Sequence, residues 1–282
     1  MTHAAAGTAI FDGLSRQKGR KMELRDFWQE NRRFALAFSG GVDSTYLLYA
    51  ALQAGADFTA YYVKSEFQPQ WEFAEAQELA QELAQRLSQQ SPQSQQPGRL
   101  KILSLHALAE PAVAANGPQR CYHCKKRMFA LIAEAAARDG YSLIIDGTNA
   151  SDDAARRPGM RALEELAVRS PLRECGLTKE EVRRLSRAAG LSTWDKPAYA
   201  CLATRVRTGE ELTAAKLAAT EKAEEYLFSL GLRDFRVRQA GGAARLQVRG
   251  EQLPLVLAKR EAIVAELKKY YETVTLDLEV RK

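Results

Sequence analysis

Between Phe34 and Leu48 the chain reads FALAFSGGVDSTYLL, an order that few folds accommodate. Phe34, Ala35, Leu36, Ala37 and Phe38 are a short apolar run, with Arg32 and Arg33 ahead of it and Ser39-Gly40-Gly41 behind. A strand buried on both faces of a parallel sheet reads this way. Val42, Tyr46, Leu47 and Ala50 then recur at helical spacing, so the order is strand, tight turn, helix. Gly40 and Gly41 lack a Cβ and let the backbone come close to a ligand. The unpaired N–H groups of the helix's first turn, and the helix dipole, favour an anion over the loop. Ser39, Ser44 and Thr45 add hydroxyl donors, and Asp43 can hold Mg²⁺ beside a phosphate. The loop lacks the Gly-Lys-Ser/Thr ending of a Walker A motif and is not GxGxxG.

Ser-Gly-Gly-Val-Asp-Ser resembles the pyrophosphate loop of the ATP pyrophosphatase superfamily. The resemblance implies attachment of AMP to a carboxylate or carbonyl oxygen, with release of pyrophosphate. The competing reading is a Gly-Gly turn in some other α/β protein.

A length of 282 residues suits one large or two modest domains, and 46% hydrophobic residues are ample for a core. No apolar run approaches the ~20 residues that span a bilayer. Residues 1–21 mix Ala, Gly and charges without an apolar signal-peptide core, so they read as a loose extension and the chain as cytosolic. A net charge of +6 favours anionic ligands, nucleotide or RNA, without choosing between them. Cys121, Cys124, Cys175 and Cys201 are expected to be reduced, metal-binding or catalytic rather than disulfide-bonded.

Helix is expected over residues 23–31, 71–87, 120–138 and 178–189, and strand over 34–38, 58–63, 100–105 and 141–146. Thr178 and Glu181 form a capping box, and Gly190 follows as a stop. The polar stretch 88–98 (SQQSPQSQQPG) reads as a loop. This alternation predicts a doubly wound parallel α/β sheet over 22–205. After Arg205 the order becomes helix 212–230, strands 234–239 and 244–249 around Gly241-Gly242, helix 253–270 and strand 274–280. Residues 206–282 are therefore expected to form a smaller α+β domain.

Cys121-Tyr122-His123-Cys124 places two thiols at the entry to a helix, where both can reach one metal. Zinc held with His123, His106 or a distant cysteine, a redox dithiol and an idle pair are all compatible with that spacing. Cys201 lies in TWDKPAYACLATR, an irregular segment with Asp195, Lys196, Thr204 and Arg205 nearby. It is a reactive thiol or a small buried hydrophobe. Cys175 reads as packing. In FRVR, alternation puts Arg236 and Arg238 on one face, about 7 Å apart, able to clamp a phosphate or carboxylate. Arg245 and Arg249 share that face across the hairpin, and the plainer alternative is a solvated sheet surface.

Taken in order, SGGVDS, CYHCKK, DGTNASDDAARRPG, SPLRECGLTKEEVRRLSRAAGL, TWDKPAYACLATR and FRVR resemble the LarE-type sulfur transferases from about Phe34 to the C-terminus. These pyridinium-3,5-biscarboxylate mononucleotide sulfur synthases take part in making the nickel-pincer nucleotide cofactor. The resemblance implies ATP phosphates on Ser39, Gly40, Gly41, Asp43 and Ser44, with adenine and ribose near Lys64, Ser65 and Gly147. It implies an acyl-adenylate of the pyridinium mononucleotide, displaced by a sulfur nucleophile. Arg236 and Arg238 match the pair that holds the substrate's phosphate, and Arg205 joins them as a substrate contact. Cys121, Cys124 and Cys201 match the branch that holds a [4Fe–4S] cluster, whose open iron carries an extra sulfide. In the other branch a single cysteine, matching Cys201, gives up its own sulfur and becomes dehydroalanine. Thr204 stands where the family's motif has Ser. The resemblance also implies a homo-hexamer with contacts through the small domain. A tRNA thiolation enzyme is the alternative within the superfamily, although no RNA-binding module is recognisable. A nucleotide-binding module with a structural zinc is the alternative outside it.

Overall fold

A computed structural model describes residues 22–90, 99–153 and 158–281. The expected N-terminal extension, residues 91–98 of the Gln-rich loop and residues 154–157 of the DGTNASDDAARRPG segment lie outside them.

Four parallel strands form the main sheet: β1 (Arg33–Ala37), β2 (Asp57–Lys64), β3 (Arg99–Ser104) and β4 (Ile144–Ile145). The chain enters through α1 (Leu24–Glu30), whose Glu23 and Asp26 make a capping box and whose Phe27 and Trp28 are buried. After β1 come α2 (Val42–Gln53), then α3 (Gln70–Gln90) after β2. A short α4 (Pro111–Ala114) precedes α5 (Arg120–Arg138), and α6 (Pro158–Glu165), α7 (Pro171–Glu174) and α8 (Lys179–Ala188) follow β4. The spatial order is β3-β2-β1-β4. The chain thus runs outward from β1 to β3, then crosses back to lay β4 on β1's free side. That reversal is a topological switch point, and ligands bind outside the carboxyl ends of the strands there.

Period-2 alternation divides the buried strands between two cores. Phe34 and Leu36 of β1 and Phe58, Ala60 and Tyr62 of β2 pack with α2, α3 and α8. Ala35, Tyr61 and Val63 point the other way, onto α5 and α6. Phe34 and Phe58 sit opposite each other in the β1–β2 register, with ring centroids 5.4 Å apart. Burying each ring contributes about 2–3 kcal/mol. Strand β4 is far shorter than residues 141–146. It pairs with β1 at two positions only and meets a single bridge from Arg169 on its outer side, after which the chain turns at Asp146.

After Arg205 come α9 (Ala214–Ser229), β5 (Arg236–Ala240), β6 (Ala243–Gln247), α10 (Leu253–Ala258), α11 (Arg260–Leu267) and β7 (Thr273–Leu276). Strands β5 and β6 form a hairpin on Gly241-Gly242, both at positive φ (53° and 82°), and β7 joins β6 in parallel. The expected continuous helix 253–270 breaks at Lys259 (φ −103°, ψ 11°), with no Gly or Pro to announce it. This unit has its own core around Phe235, Val237, Leu246 and Leu267. A separate cluster of Phe67, Val113, Leu202, Val206 and Leu217 seals it to the main sheet's loops. Among the described residues, no helix is long and apolar enough to cross a membrane.

Candidate active site

The phosphate loop sits at the switch point, between the carboxyl ends of β1 and β4. Gly40 is at φ +71°, and a Cβ there would lie 2.7 Å from Ala76 Cβ of α3. Gly41 is the N-cap of α2 and contributes no side chain, so the first-turn N–H groups stay available. The hydroxyls of Ser39 and Ser44 lie 3.0 Å apart, the Ser39 N–H donates to Ser44 Oγ, and Ser44 Oγ donates to the Gly41 carbonyl. From the other side, Gly147 presses on the loop: an added Cβ would meet Ser44 N at 2.9 Å. Asp146, just before it, accepts from Thr148 N–H, Thr148 Oγ1 and Ser170 Oγ, which fixes the turn.

Two lysines face this loop. Lys179 Nζ lies 2.6 Å from Asp43 Oδ2, and Lys196 Nζ donates to the Gly40 carbonyl at 3.2 Å and to Glu75. Burial raises the Asp43 carboxyl pKa, opposed chiefly by Lys179. Among the described residues its Oδ1 is buried with no hydrogen bond, although the nearby Asn149 side chain also favours the charged form. An orphaned carboxylate oxygen beside a phosphate loop fits a divalent cation. Loop, lysines and Gly147 line one cavity of about 420 Å³. Glu72 of α3 also lines it, pushed up to about 7 by burial, with Lys196 pulling the other way.

A second cavity of about 450 Å³ is lined by Cys121, Cys124 and Cys201. Cys121, Cys124, Lys125 and Met128 form one stripe of α5, at i, i+3, i+4 and i+7. Arg120 ties this helix to the Cys201 segment, donating to the Ala203 carbonyl at 3.0 Å and to Cys121 Sγ at 3.5 Å. Burial, helped by the other two cysteines, pushes the Cys124 thiol up to about 12; burial raises Cys201 too, against the pull of Arg120. Among the described residues, no three His, Cys, Asp or Glu side chains gather closely enough to hold a single metal ion. A cubane cluster spaces its ligand sulfurs more widely than one ion does. Three thiols lining one cavity, with no carboxylate or imidazole among its lining residues, fit that donor set. Cys201 lines the phosphate cavity as well, so the two spaces adjoin at this residue.

The sequence-predicted residues divide cleanly. Ser39, Gly41, Asp43, Ser44, Gly147 and Cys201 share the phosphate cavity. Lys64 and Ser65 do not line it; both hydrogen-bond Gln68, which does. Arg205 is fully buried in an ion pair with Glu224 and donates to the Ala200 carbonyl at 2.6 Å. Arg236 is buried and donates to the Ala198 carbonyl, and Arg238 to the Thr204 carbonyl. This is no solvated sheet face. Burial, then the neighbouring Arg205 and Arg281, lowers Arg236 to about 10 and moves Arg238 the same way. The three arginines brace the Cys201 segment. Arg238 and Arg245 also line a further cavity of about 600 Å³ beside it, whereas Arg249 pairs with Asp234 and Glu251. Cys175 is core. Lys179, Glu72 and Glu224 carried no local signal, because each acquires its meaning from partners distant in sequence.

Replacing Gly40 by Ala is expected to weaken ATP binding at least tenfold and destabilise the fold by about 1–3 kcal/mol, since the new methyl meets Ala76 and left-handed backbone strains any other residue. Calorimetric ATP titration and a melting curve check this; an unchanged Kd would contradict the loop's assignment.

An SGGVDS phosphate loop at the switch point of a doubly wound sheet fits the architecture of a PP-loop protein. A family model described as thiamine biosynthesis protein (ThiI) matches residues 30–227. A pyridinium-3,5-bisthiocarboxylic acid mononucleotide synthase of Lactiplantibacillus plantarum is 32% identical over 250 residues, covering 88% of this chain and 86% of that protein. An uncharacterised protein of Synechocystis is 35% identical over 262 residues, 91% of this chain and 92% of its own length. Another from Methanocaldococcus jannaschii is 25% identical over 252 residues, 89% of this chain and 91% of its own. The chain belongs to the LarE-type PP-loop family of sulfur-transferring enzymes that use ATP.

Proposed function

We propose that this enzyme converts the carboxylates of pyridinium-3,5-biscarboxylate mononucleotide to thiocarboxylates through an acyl-adenylate. The observation that carries the reading is Cys201, which lines both the phosphate cavity and the three-cysteine cavity. The relative from L. plantarum, whose name is that of the bisthiocarboxylic acid product, supports the substrate.

The α2 N-terminus and the Ser39 and Ser44 hydroxyls hold the ATP phosphates, and Lys179 and Lys196 stabilise charge on the departing pyrophosphate. Asp43 Oδ1 would hold Mg²⁺, which adds charge neutralisation across the phosphates. A substrate carboxylate oxygen attacks the α-phosphorus in line, giving the mixed anhydride with AMP. Arg238 and Arg245, which line the adjoining cavity, receive the substrate's own phosphate, and buried Arg236 holds the Ala198 carbonyl behind them. Cys121, Cys124 and Cys201 would hold a [4Fe–4S] cluster, which supplies a sulfide-level sulfur beside the anhydride. The small α+β unit is the surface for homo-oligomer contacts, where Leu257 and Leu278 are 59% and 88% exposed.

The test is anaerobic incubation with ATP, the biscarboxylate mononucleotide and sulfide. Pyrophosphate and a thiocarboxylate product are expected, with about four irons per chain that are lost in Cys121→Ala. Absence of pyrophosphate sinks the reading. Product without iron, with Cys201 recovered as dehydroalanine, moves the chain to the sacrificial branch.

A further inference from the structure

Four residues line both cavities: Gln68, Lys125, Met128 and Cys201. Lys125 is the cation among them. Among the described residues no carboxylate pairs with it, and its ammonium lies 5.9 Å from the Phe129 ring centroid. Its neighbour Lys126 is different, engaged by Glu165 and Tyr122 on the outer face of α5. Room for the Lys125 stem comes from Gly159 of α6, where a Cβ would lie 2.8 Å from Lys125 Cδ. An ammonium without a carboxylate partner among the described residues, on a side chain that lines both the phosphate space and the thiol space, is suited to charge that appears only during reaction.

We propose that Lys125 is a catalytic residue of the sulfur-transfer step, holding the carbonyl oxygen that becomes negative as sulfur adds to the acyl-adenylate. The inference rests on the two-step reading above. A hydrosulfide-level nucleophile forms the C–S bond, and the carbonyl π pair moves onto oxygen, where the ammonium donates to it. The C=O bond then re-forms, and the C–O bond to AMP breaks with its electron pair leaving on the phosphate. Because it acts on the acyl oxygen and not on the phosphates, it leaves the adenylation step alone.

Rapid-quench turnover of Lys125→Met and Lys125→Arg beside wild type tests this, with ATP, the biscarboxylate mononucleotide and sulfide. Pyrophosphate measures the first step, thiocarboxylate the second, and hydroxylamine traps accumulated acyl-adenylate as hydroxamate. In Lys125→Met, first-turnover pyrophosphate is expected within about twofold of wild type, while thiocarboxylate formation falls about 100-fold and trapped hydroxamate rises. Lys125→Arg restores much of the transfer rate, and iron content is equal in all three proteins. Pyrophosphate slowing in step with transfer assigns Lys125 to the nucleotide and overturns the proposal, as does an unchanged transfer rate. A loss of iron that parallels the loss of transfer overturns it too. Wild type releasing no pyrophosphate with this substrate counts against the enzyme's assigned reaction instead.

Discussion

Asp43→Asn is expected to lower pyrophosphate release about 100- to 1,000-fold while leaving the ligand-free protein nearly as stable as wild type. The two halves have one cause. Without ligand, burial works against this carboxylate, Lys179 offsets part of that cost, and Oδ1 has no partner. Asn keeps the shape, removes the disfavoured charge and forfeits the ion pair, so the changes oppose each other. With Mg²⁺ and ATP bound as proposed the balance differs, because the carboxylate then faces a cation. Wild type should gain about 2.7 kcal/mol of stability at a nucleotide concentration 100 times Kd. The variant should lose the Mg²⁺-dependent part of that gain. Melting curves with ATP, with and without Mg²⁺, read this directly; a variant still stabilised by Mg²⁺ would rule out Asp43 as the cation's ligand.

Glu224→Gln should cost about 3–5 kcal/mol, roughly 10 °C in melting temperature for a chain of this size. Glu224 Oε1 accepts from Arg205 Nε at 2.8 Å and from the Val237 N–H at 2.9 Å; Oε2 accepts from Arg205 Nη2 at 3.0 Å and from the Tyr199 hydroxyl. One carboxylate therefore joins α9, β5 and the segment carrying Cys201. Removing its charge strands a guanidinium with no exposed surface. The double variant Arg205→Met/Glu224→Leu should recover much of the loss, since no unpaired charge then stays buried. Arg205 also donates to the Ala200 and Cys201 carbonyls, so Glu224→Gln should speed alkylation of Cys201. A melting temperature within a degree or two of wild type would show that the pair does not brace this segment.

Local signals were legible where the chain's own spacing decides the structure. The apolar run at Phe34–Phe38 announces a doubly buried strand, the 120–138 periodicity gives α5 its observed limits, and Thr178 with Glu181 caps α8 as read. Alternation placed Arg236 and Arg238 on one face, but their engagement with the Ala198 and Thr204 carbonyls depends on a segment more than thirty residues away. Lys179 shows the same limit. It reads as the first helical residue after a good cap, and only the fold brings it across 136 residues to Asp43. Lys64 and Ser65 were placed at the right strand end, yet whether they face the nucleotide or Gln68 is settled by side-chain packing. The break at Lys259 has no punctuating residue, so a continuous helix was the natural reading.

The contact between Gly147 and Ser44 sets a schedule for assembly. The two lie roughly a hundred residues apart, and β4 can dock on β1 only after β2, β3 and α5 have been laid down. Pairings so distant in sequence form late and slowly. A chain emerging from the ribosome therefore carries its SGGVDS segment for many seconds before the far wall arrives. The Glu224 brace comes later still, so the thiols are the last reactive groups to be enclosed. Nucleotide cannot be held firmly until most of the polypeptide exists, and Cys121 and Cys124, which emerge well before Cys201, are open to oxidants for longest in a nascent chain.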